Sequence, residues 1–272
     1  MVSSVTPRSV VLNLVRASGP EAQPVSRLVA LADLFGFTEN ALRVAVARLV
    51  ADGLLESDER GSYRLGSAAA PVQAHVEDWR KGERRMRAWN GEWFSLLLPG
   101  KADRAHRRAS LKALARLGFR EAHPGLWLRP DNLAQSFTET FERLRSLGLE
   151  DTAEAFRSRD VSEALSLRLR RQWPARELVQ GYERSLRDLQ RSVRKLPVMP
   201  RQTALVQSFL LGGEAIRVLA TDPLLPEEIV PSEKRRELTE LMLRYDGVGR
   251  RIWRTFASAP ELDVIKGGRD VG

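Results

Sequence analysis

The sequence contains no cysteine and only three histidines, His75, His106 and His123. The absence of cysteine excludes disulfide bonds, zinc–thiolate sites, iron–sulfur clusters held by thiolates and a thiol nucleophile. The scarcity of histidine leaves few further ligands for a transition metal. We therefore expect no metal site and no cofactor.

Sequence motifs of catalytic sites are also missing. The chain has no G-x-G-x-x-G, no phosphate-binding P-loop, no H-E-x-x-H and no G-x-S-x-G. Ser192 and Lys195 match the S-x-x-K motif, but its companion motifs S-D-N and K-T-G are absent, so we attribute the match to chance. We predict no catalytic residue and interpret the chain as a non-enzyme.

Long hydrophobic runs are lacking too. The most apolar stretch, residues 203–220, contains Gln207, Glu214 and Arg217, which makes it too polar for a membrane span of about 20 residues. The N-terminal residues include a short apolar run without the arrangement of a signal peptide. We expect no membrane association and place the protein in the cytoplasm.

The charge of the chain is unevenly distributed. Its 272 residues carry 44 basic and 35 acidic side chains, a formal net charge of +9. Most of the excess lies in residues 67–130, above all in the segments 79–87 (WRKGERRMR) and 101–108 (KADRAHRR). Such a surplus is typical of proteins that bind nucleic acid or phosphate-bearing ligands, but a solvated arginine-rich surface has the same composition. Charge alone leaves both interpretations open.

The first 66 residues predict three helices followed by a hairpin. The typical helix starts are Thr6 with Pro7, Ser26 and Thr38. The typical helix ends are Gly36 and Gly53, since glycine tolerates the left-handed conformation that follows a helix. Two short strands are then expected at 54–57 and 62–65, with Gly61 in the turn between them. Three helices followed by a β-hairpin are typical of a winged helix-turn-helix.

The third helix, expected at about residues 39–52, has an apolar and a polar face. The apolar face consists of Leu42, Ala45, Val46 and Leu49. We hypothesise that the opposite face enters the major groove of double-stranded DNA, where Arg43 pairs with guanine and Asn40 with adenine. The predicted DNA-binding residues are Thr38, Asn40, Arg43, Val44, Ala47, Arg48, Arg60, Ser62 and Arg64. A winged helix that binds protein instead is the alternative.

The middle of the chain predicts a small α/β unit. The expected elements are a strand at 93–98, a helix at about 102–117, a strand at 125–130, a helix capped by Asn132 and a short strand near 153–157. This β-α-β-α-β order is typical of a ferredoxin-like sandwich. Trp89, Trp93 and Trp127 fit its core better than a surface for stacking ligands.

After residue 161 the apolar pattern is helical throughout. The expected helices lie at about 161–172, 175–195, 201–220 and 233–256, and prolines separate them. Their apolar stripes are typical of a core, and part of them is a candidate dimer face. The pattern identifies no effector-binding residue.

Four segments in a fixed order resemble a known family. They are RAWNGEW at 87–93, RASLKALARLGF at 108–119, GLWLRP at 125–130 and DPLLP at 222–226. Together with the N-terminal winged helix, they are similar to the PaaX-like transcription factors, the phenylacetic-acid catabolon repressor family, over roughly residues 5–257. The order and spacing of the segments carry the resemblance, rather than any one of them.

The resemblance implies a multidomain, mainly helical protein with small β-sheets that acts as a dimeric DNA-binding repressor. The expected domains are a winged helix-turn-helix at 1–70, a ferredoxin-like (Cas2-like) α/β domain at 71–160 and an all-helical domain for dimerisation or effector binding at 161–272. The expected partners are operator DNA, a second copy of the chain, and an acyl-CoA thioester such as phenylacetyl-CoA. That effector would release the operon for catabolism of an aromatic or organic acid.

Two alternative functions stay open at this point. One is a winged-helix adaptor that binds protein, and the other is a protein that binds RNA or other nucleic acid through the Cas2-like domain without catalysis. A Cas2-like domain also raises the possibility of a metal-dependent nuclease. The expected strand at 93–98 has no acidic residue to hold a divalent cation, which disfavours that activity.

Overall fold

The structure is a computed structural model that describes residues 5–19, 21–58, 60–99 and 103–257. The chain forms two compact units. Unit 1 consists of Met1–Ala74, Asp188–Ala215 and Met242–Gly272, and unit 2 consists of His75–Arg187 and Ile216–Leu241. Each unit combines an early part of the chain with later parts. The division into three consecutive domains remains a prediction.

Unit 1 begins with three helices and a small antiparallel sheet. The helices are α1 (Pro7–Ala17), α2 (Val25–Asp33) and α3 (Glu39–Ala51), and the strands are β1 (Gln23–Pro24), β2 (Leu55–Ser57) and β3 (Ser62–Leu65). The strand order is β1-β3-β2. The expected hairpin is therefore present as β2 and β3, and β1 adds a third strand ahead of α2. Helix α4 (Ala70–Glu77) follows the sheet.

Local sequence sets two of the three helix starts. The side chains of Thr6 and Thr38 each accept a hydrogen bond from the backbone N–H three residues further on, so both predicted caps are confirmed. The predicted cap at Ser26 is wrong, because α2 begins at Val25 and has no side-chain cap. Pro24 pairs with β3, and the chain passes directly from that pairing into the helix.

The core of unit 1 is apolar and includes residues from the late helices. Its buried members in α1–α3 are Val10, Val11, Leu14, Val15, Leu28, Leu31, Ala32, Leu42, Ala45, Val46 and Leu49. Leu205 belongs to the same cluster. The ring centroid of Phe209 lies 5.0 Å from that of Phe35 and 6.3 Å from that of Trp253. Late residues thus complete the core around the N-terminal helices.

Unit 2 contains a four-stranded sheet with two helices. In chain order the elements are β4 (Trp93–Leu97), α5 (Arg104–Arg116), β5 (Arg120–His123), β6 (Leu126–Pro130), α6 (Phe137–Ser146) and β7 (Glu154–Ser158). The strands lie in the order β5-β6-β4-β7, and each neighbouring pair is antiparallel. A β-α-β-β-α-β order is that of a ferredoxin-like sandwich. Strand β5 is absent from the predicted order because its sequence, REAH, carries little apolar signal.

The predicted cap at Asn132 is wrong. Helix α6 begins at Phe137, and Ser136 caps it in a reciprocal pair of hydrogen bonds with Glu139. Asn132 is instead fully buried, because its side chain is used in a contact with a distant loop. Ser136 with Glu139 is a capping box that lies four residues further along the chain.

Four helices follow the sheet of unit 2 in the chain. They are α7 (Glu163–Arg170), α8 (Ala175–Lys195), α9 (Arg201–Ala220) and α10 (Glu233–Ala257). Within the described ranges, α9 is the one helix long and apolar enough to cross a membrane by length and composition alone. Its residues Leu205, Ala215 and Leu219 are buried inside the protein, as is usual for a core helix of this composition.

Buried donors hold the DPLLP segment in unit 2. Arg129 donates to the carbonyl oxygen of Leu224 at 3.3 Å, and Asn132 donates to the same oxygen at 2.8 Å. Leu224 has a left-handed φ of +52°, which a leucine keeps only where its surroundings fix it. At Gly118 an added Cβ would lie 2.7 Å from the side chain of Pro223, so glycine permits the close approach. The GLWLRP and DPLLP segments are therefore in direct contact.

A second buried group of charges lies nearby in the same unit. Arg235 is buried and forms a two-point ion pair with Glu83, with Nε–Oε1 and Nη2–Oε2 distances of 2.8 and 3.0 Å. Its Nη1 lies 3.5 Å from Oδ1 of Asp222, whose other oxygen accepts a hydrogen bond from the Tyr182 hydroxyl. Burial and the Asp222 charge raise the pKa of Tyr182, which keeps its proton available for this bond.

Candidate nucleic-acid interface

Helix α3 presents its polar face to solvent. Leu42, Val46 and Leu49 are buried against the core of unit 1, as their helical spacing predicts. The exposed residues on the other side are Glu39, Asn40, Arg43, Val44, Ala47 and Arg48. Five of them belong to the predicted DNA-binding set, and together they form one continuous surface that we call the α3 face. Val44, which is 42% exposed, adds an apolar side chain to this surface.

Arg43 on the α3 face is held by a carboxylate of its own helix. Its Nε donates to Oε1 of Glu39 at 2.8 Å, and its Nη2 lies 2.7 Å from the same oxygen. The two residues are four positions apart, the spacing that brings opposite charges together on a helix. The pair uses one edge of the guanidinium and leaves the Nη1–Nη2 end open. That end is the fork that can bind two acceptors at once.

The remaining predicted residues divide between the cap of α3 and the hairpin. The Thr38 hydroxyl is occupied as the cap of α3. Ser62 is half-buried, and its backbone N–H donates to the Asp58 carboxylate at 2.8 Å, so it closes the turn between β2 and β3. Arg60 and Arg64 are exposed. Arg64 lies 3.3 Å from Oε2 of Glu56, directly opposite it across the strands.

The acidic partners of these arginines are the part of the surface that the sequence prediction did not include. Glu39 and Glu56 neutralise Arg43 and Arg64, and an ion pair of 2.8 Å joins Arg8 to Asp52. The four-residue spacing of Glu39 and Arg43 is a signal that could have been used, whereas the Glu56 pairing depends on strand register. Arg8, Arg43 and Arg64 of unit 1 are therefore each paired with a carboxylate.

Each of the three histidines lies in a separate contact. No cluster of three or more histidine, aspartate or glutamate side chains in the described residues is placed to hold a metal ion. His106 is exposed and bonds to its helix cap Asp103 at 2.8 Å, and His123 lies 3.0 Å from Arg168. His75 accepts a hydrogen bond of 2.8 Å from Arg143.

Comparison with known proteins first defines the class. The model of the PaaX-like protein family matches residues 6–69, which contain the α3 face. The model of the PaaX protein central Cas2-like domain matches residues 86–169, which contain the four-stranded sheet. Together the two models span more than half of the chain. The chain belongs to the PaaX-like family.

Two particular relatives have similar sequence or structure. The chain is 27% identical to the transcriptional repressor PaaX of Escherichia coli over 217 residues, which span 75% of this chain and 67% of that protein. A solved structure of an uncharacterized protein from Mycobacterium tuberculosis is similar with a TM-score of 0.52 and 26% identity. The match covers 91% of this chain and all of that one. Both similarities extend well beyond the N-terminal helices.

Proposed function

We propose that this protein is a DNA-binding transcriptional regulator that acts as a repressor through a winged helix-turn-helix in unit 1. The family assignment and the repressor from Escherichia coli support this function. The observation that carries it is the α3 face, where arginine, asparagine and small apolar side chains are exposed together beside a β-hairpin. This combination matches what a base-reading helix needs.

Helix α3 reads the major groove in this proposal. The open end of the Arg43 guanidinium binds O6 and N7 of guanine, and Asn40 binds adenine through its side-chain amide. Val44 and Ala47 offer apolar contact to the methyl group of thymine. Because Glu39 fixes the other edge of Arg43, the arginine is oriented before DNA arrives, and less side-chain entropy is lost on binding.

The hairpin acts as the wing. Arg60 lies in the turn beside Gly61, and Arg64 lies on β3 opposite Glu56. They contact phosphates or the minor groove and set the orientation of α3 rather than its sequence preference. Arg48 and the Thr38 end of α3 contribute further backbone contacts.

Regulation is proposed to follow from linkage between effector and DNA. A homodimer presents two α3 helices to half-sites one or more helical turns apart. An acyl-CoA thioester that binds one conformation more tightly shifts the protein to a spacing that does not fit the operator. A thermal shift produced by phenylacetyl-CoA and not by free coenzyme A would support this effector class, and equal shifts would contradict it.

The central test compares operator and random DNA. Fluorescence anisotropy is measured with duplex DNA from upstream of the protein's own gene and with a scrambled duplex of equal length. Arg43→Ala is expected to weaken binding to the upstream DNA by about 1–3 kcal/mol, roughly 5- to 160-fold, with a much smaller effect on the scrambled duplex.

Arg8→Ala is the matched control, since the Arg8 side chain is 43% exposed, lies in unit 1 and pairs with an acidic residue. It is expected to change neither affinity by more than about twofold. Unchanged discrimination in Arg43→Ala would remove this residue from base reading. A wild-type protein that binds neither duplex would contradict the proposed function.

A further inference from the structure

Helix α5 in unit 2 carries a row of basic side chains along its exposed side. Its sequence, RAHRRASLKALAR, contains no acidic residue. Ser110, Ala113 and Leu114 form its buried side. The exposed cations Arg104, Arg108 and Lys112 follow one another at intervals of four residues, so they lie one above the next. We call these three residues the α5 row.

The α5 row is not neutralised by carboxylates. Across the ranges that the structure describes, none of its three members forms an ion pair within 4 Å. Other arginines of unit 2 do so. Arg143 pairs with Asp78 at 2.6 Å, for example. Further examples are Arg145 with Asp151 at 3.1 Å and Arg157 with Asp131 at 2.7 Å.

The acidic residue nearest in sequence to the α5 row is already occupied. Asp103 caps α5, and its Oδ1 accepts hydrogen bonds from the backbone N–H groups of Ala105 and His106. Its Oδ2 bonds to the His106 ring at 2.8 Å. These bonds lower the pKa of Asp103, which therefore serves the helix end and histidine instead of the row. Three aligned, uncompensated cations repel one another unless an anion binds them.

The geometry of the row suits the backbone of a nucleic acid. A rise of 1.5 Å per residue makes the row about 12 Å long, and one strand of B-DNA carries about three to four phosphates over that length. Arginine and lysine on a helix surface bind phosphates without reading bases. The row is exposed, and the buried residues of α5 lie on its other side.

We propose that the α5 row binds the phosphate backbone of double-stranded DNA and supplies sequence-independent affinity. The proposal rests on the proposed function in one respect, namely that duplex DNA is the partner of the protein. In this proposal two separate surfaces provide sequence selection and sequence-independent affinity. The α3 face, where Glu39 orients Arg43, selects the sequence. The α5 row, whose three cations form no ion pair within 4 Å in the described residues, adds electrostatic binding.

The test is the salt dependence of binding in a triple variant of the full chain, R104Q/R108Q/K112Q. Affinities for upstream and scrambled duplex are measured by anisotropy over a series of salt concentrations. Each lost phosphate contact lowers the slope of log affinity against log salt by about 0.9, so a decrease of up to about 2.7 is expected. Both duplexes are expected to lose affinity by the same factor, which leaves their ratio unchanged.

A second triple variant, R171Q/R176Q/R184Q, removes the same charge from exposed positions elsewhere in unit 2. Its slope is expected to match that of the wild type. Thermal midpoints of all variants within about 2 °C of one another exclude unfolding as the cause, because exposed substitutions rarely exceed about 0.5 kcal/mol.

Three outcomes would overturn the proposal. They are an unchanged slope in the α5 variant, an equal decrease in both triple variants, and loss of the thermal shift induced by phenylacetyl-CoA with unchanged DNA binding. The last outcome would assign the row to a small phosphate ligand. A wild-type protein that fails to distinguish upstream from scrambled DNA contradicts the regulator function alone, since the slope on scrambled DNA still tests the row.

Discussion

The interiors of the two units differ in chemistry. Unit 1 is closed by aliphatic and aromatic side chains, among which Leu14, Leu42 and Leu49 are fully buried. Unit 2 buries Arg129 and Arg235 as completely as its largest aromatic residues. The contrast teaches that unit 1 is stabilised mainly by buried apolar area, which has no group to titrate, whereas unit 2 also depends on the geometry of buried charges.

Arg129 illustrates what a buried charge requires. Its guanidinium donates to three backbone carbonyls and to the Asn132 side chain. It forms no ion pair within 4 Å with a carboxylate of the described residues. Burial lowers the pKa of Arg129 to about 9, so the group remains charged at neutral pH. Carbonyl dipoles from three segments of the chain therefore stabilise the buried positive charge, as water stabilises a charge at the surface.

The largest expected effect is the loss of the buried pair in unit 2. Arg235→Ala leaves Glu83 and Asp222 without their partner and is expected to destabilise unit 2 by about 3–5 kcal/mol. Tryptophan fluorescence in a urea titration measures the free energy of unfolding of unit 2, because five of the six tryptophans lie in that unit. The exposed neighbour Arg236→Ala is the control, with an expected change below about 0.5 kcal/mol. Similar losses in both variants would refute the role of the buried pair.

A cavity in unit 1 is expected to have a somewhat smaller effect. Leu49→Ala removes a fully buried side chain and should reduce the stability of unit 1 by about 3 kcal/mol. Far-ultraviolet circular dichroism follows this loss, while tryptophan fluorescence still reports mainly on unit 2. Leu111→Ala, at a position 37% exposed, is the control and should be nearly neutral. If the circular dichroism and fluorescence midpoints shift together, the two units unfold as one, and their stabilities cannot be compared separately.

Acidification is expected to destabilise unit 2 through His75. Burial and the charges of Arg143 and Arg116 lower the pKa of His75 from 6.5 to about 4, against a smaller opposing effect of Asp78. Between these values the unfolded state binds more protons, so stability falls as pH decreases through this window. The expected loss from pH 7 to pH 5 is about 2 kcal/mol.

The measurement for His75 is the urea midpoint of unit 2 as a function of pH. His75→Gln keeps an acceptor for Arg143 and should flatten the profile between pH 4 and 6.5. An equally steep profile in this variant would assign the titration to another group. The stability of unit 1 is expected to stay constant over the same range.

The smallest expected effect concerns the start of α3. Thr38→Ala removes the cap and should lower the stability of unit 1 by about 1 kcal/mol, whereas Thr38→Ser should retain most of it. Differential scanning calorimetry of the wild type and the two variants ranks their thermal stabilities. A serine variant as unstable as the alanine variant would show that the hydroxyl is not the stabilising group.

Local patterns in the sequence predict the helices and the exposed α3 face, but not the contacts between distant segments. The caps at Thr6 and Thr38 and the inward spacing of Leu42, Val46 and Leu49 depend on neighbours within one or two turns. Roles in DNA binding remain predictions for every residue of the set.

The errors share a physical cause. Asn132 has the right side chain for a helix cap, yet its partner is a carbonyl 92 residues away. Ser26 lost its expected role because Pro24 is paired with β3. Strand β5 has no apolar alternation and exists because β6 lies beside it. In each case a long-range contact overrides a local preference.

The participation of Leu205, Phe209 and Trp253 in the core of unit 1 has a consequence for biosynthesis. At roughly 5–20 residues per second, the ribosome makes Phe209 about 10–35 s after Phe35. During that delay the nascent N-terminal helices expose an unfinished apolar side, which is a natural target for chaperones. A fragment that stops before residue 200 lacks those partners, and it should aggregate instead of forming a small autonomous DNA-binding module.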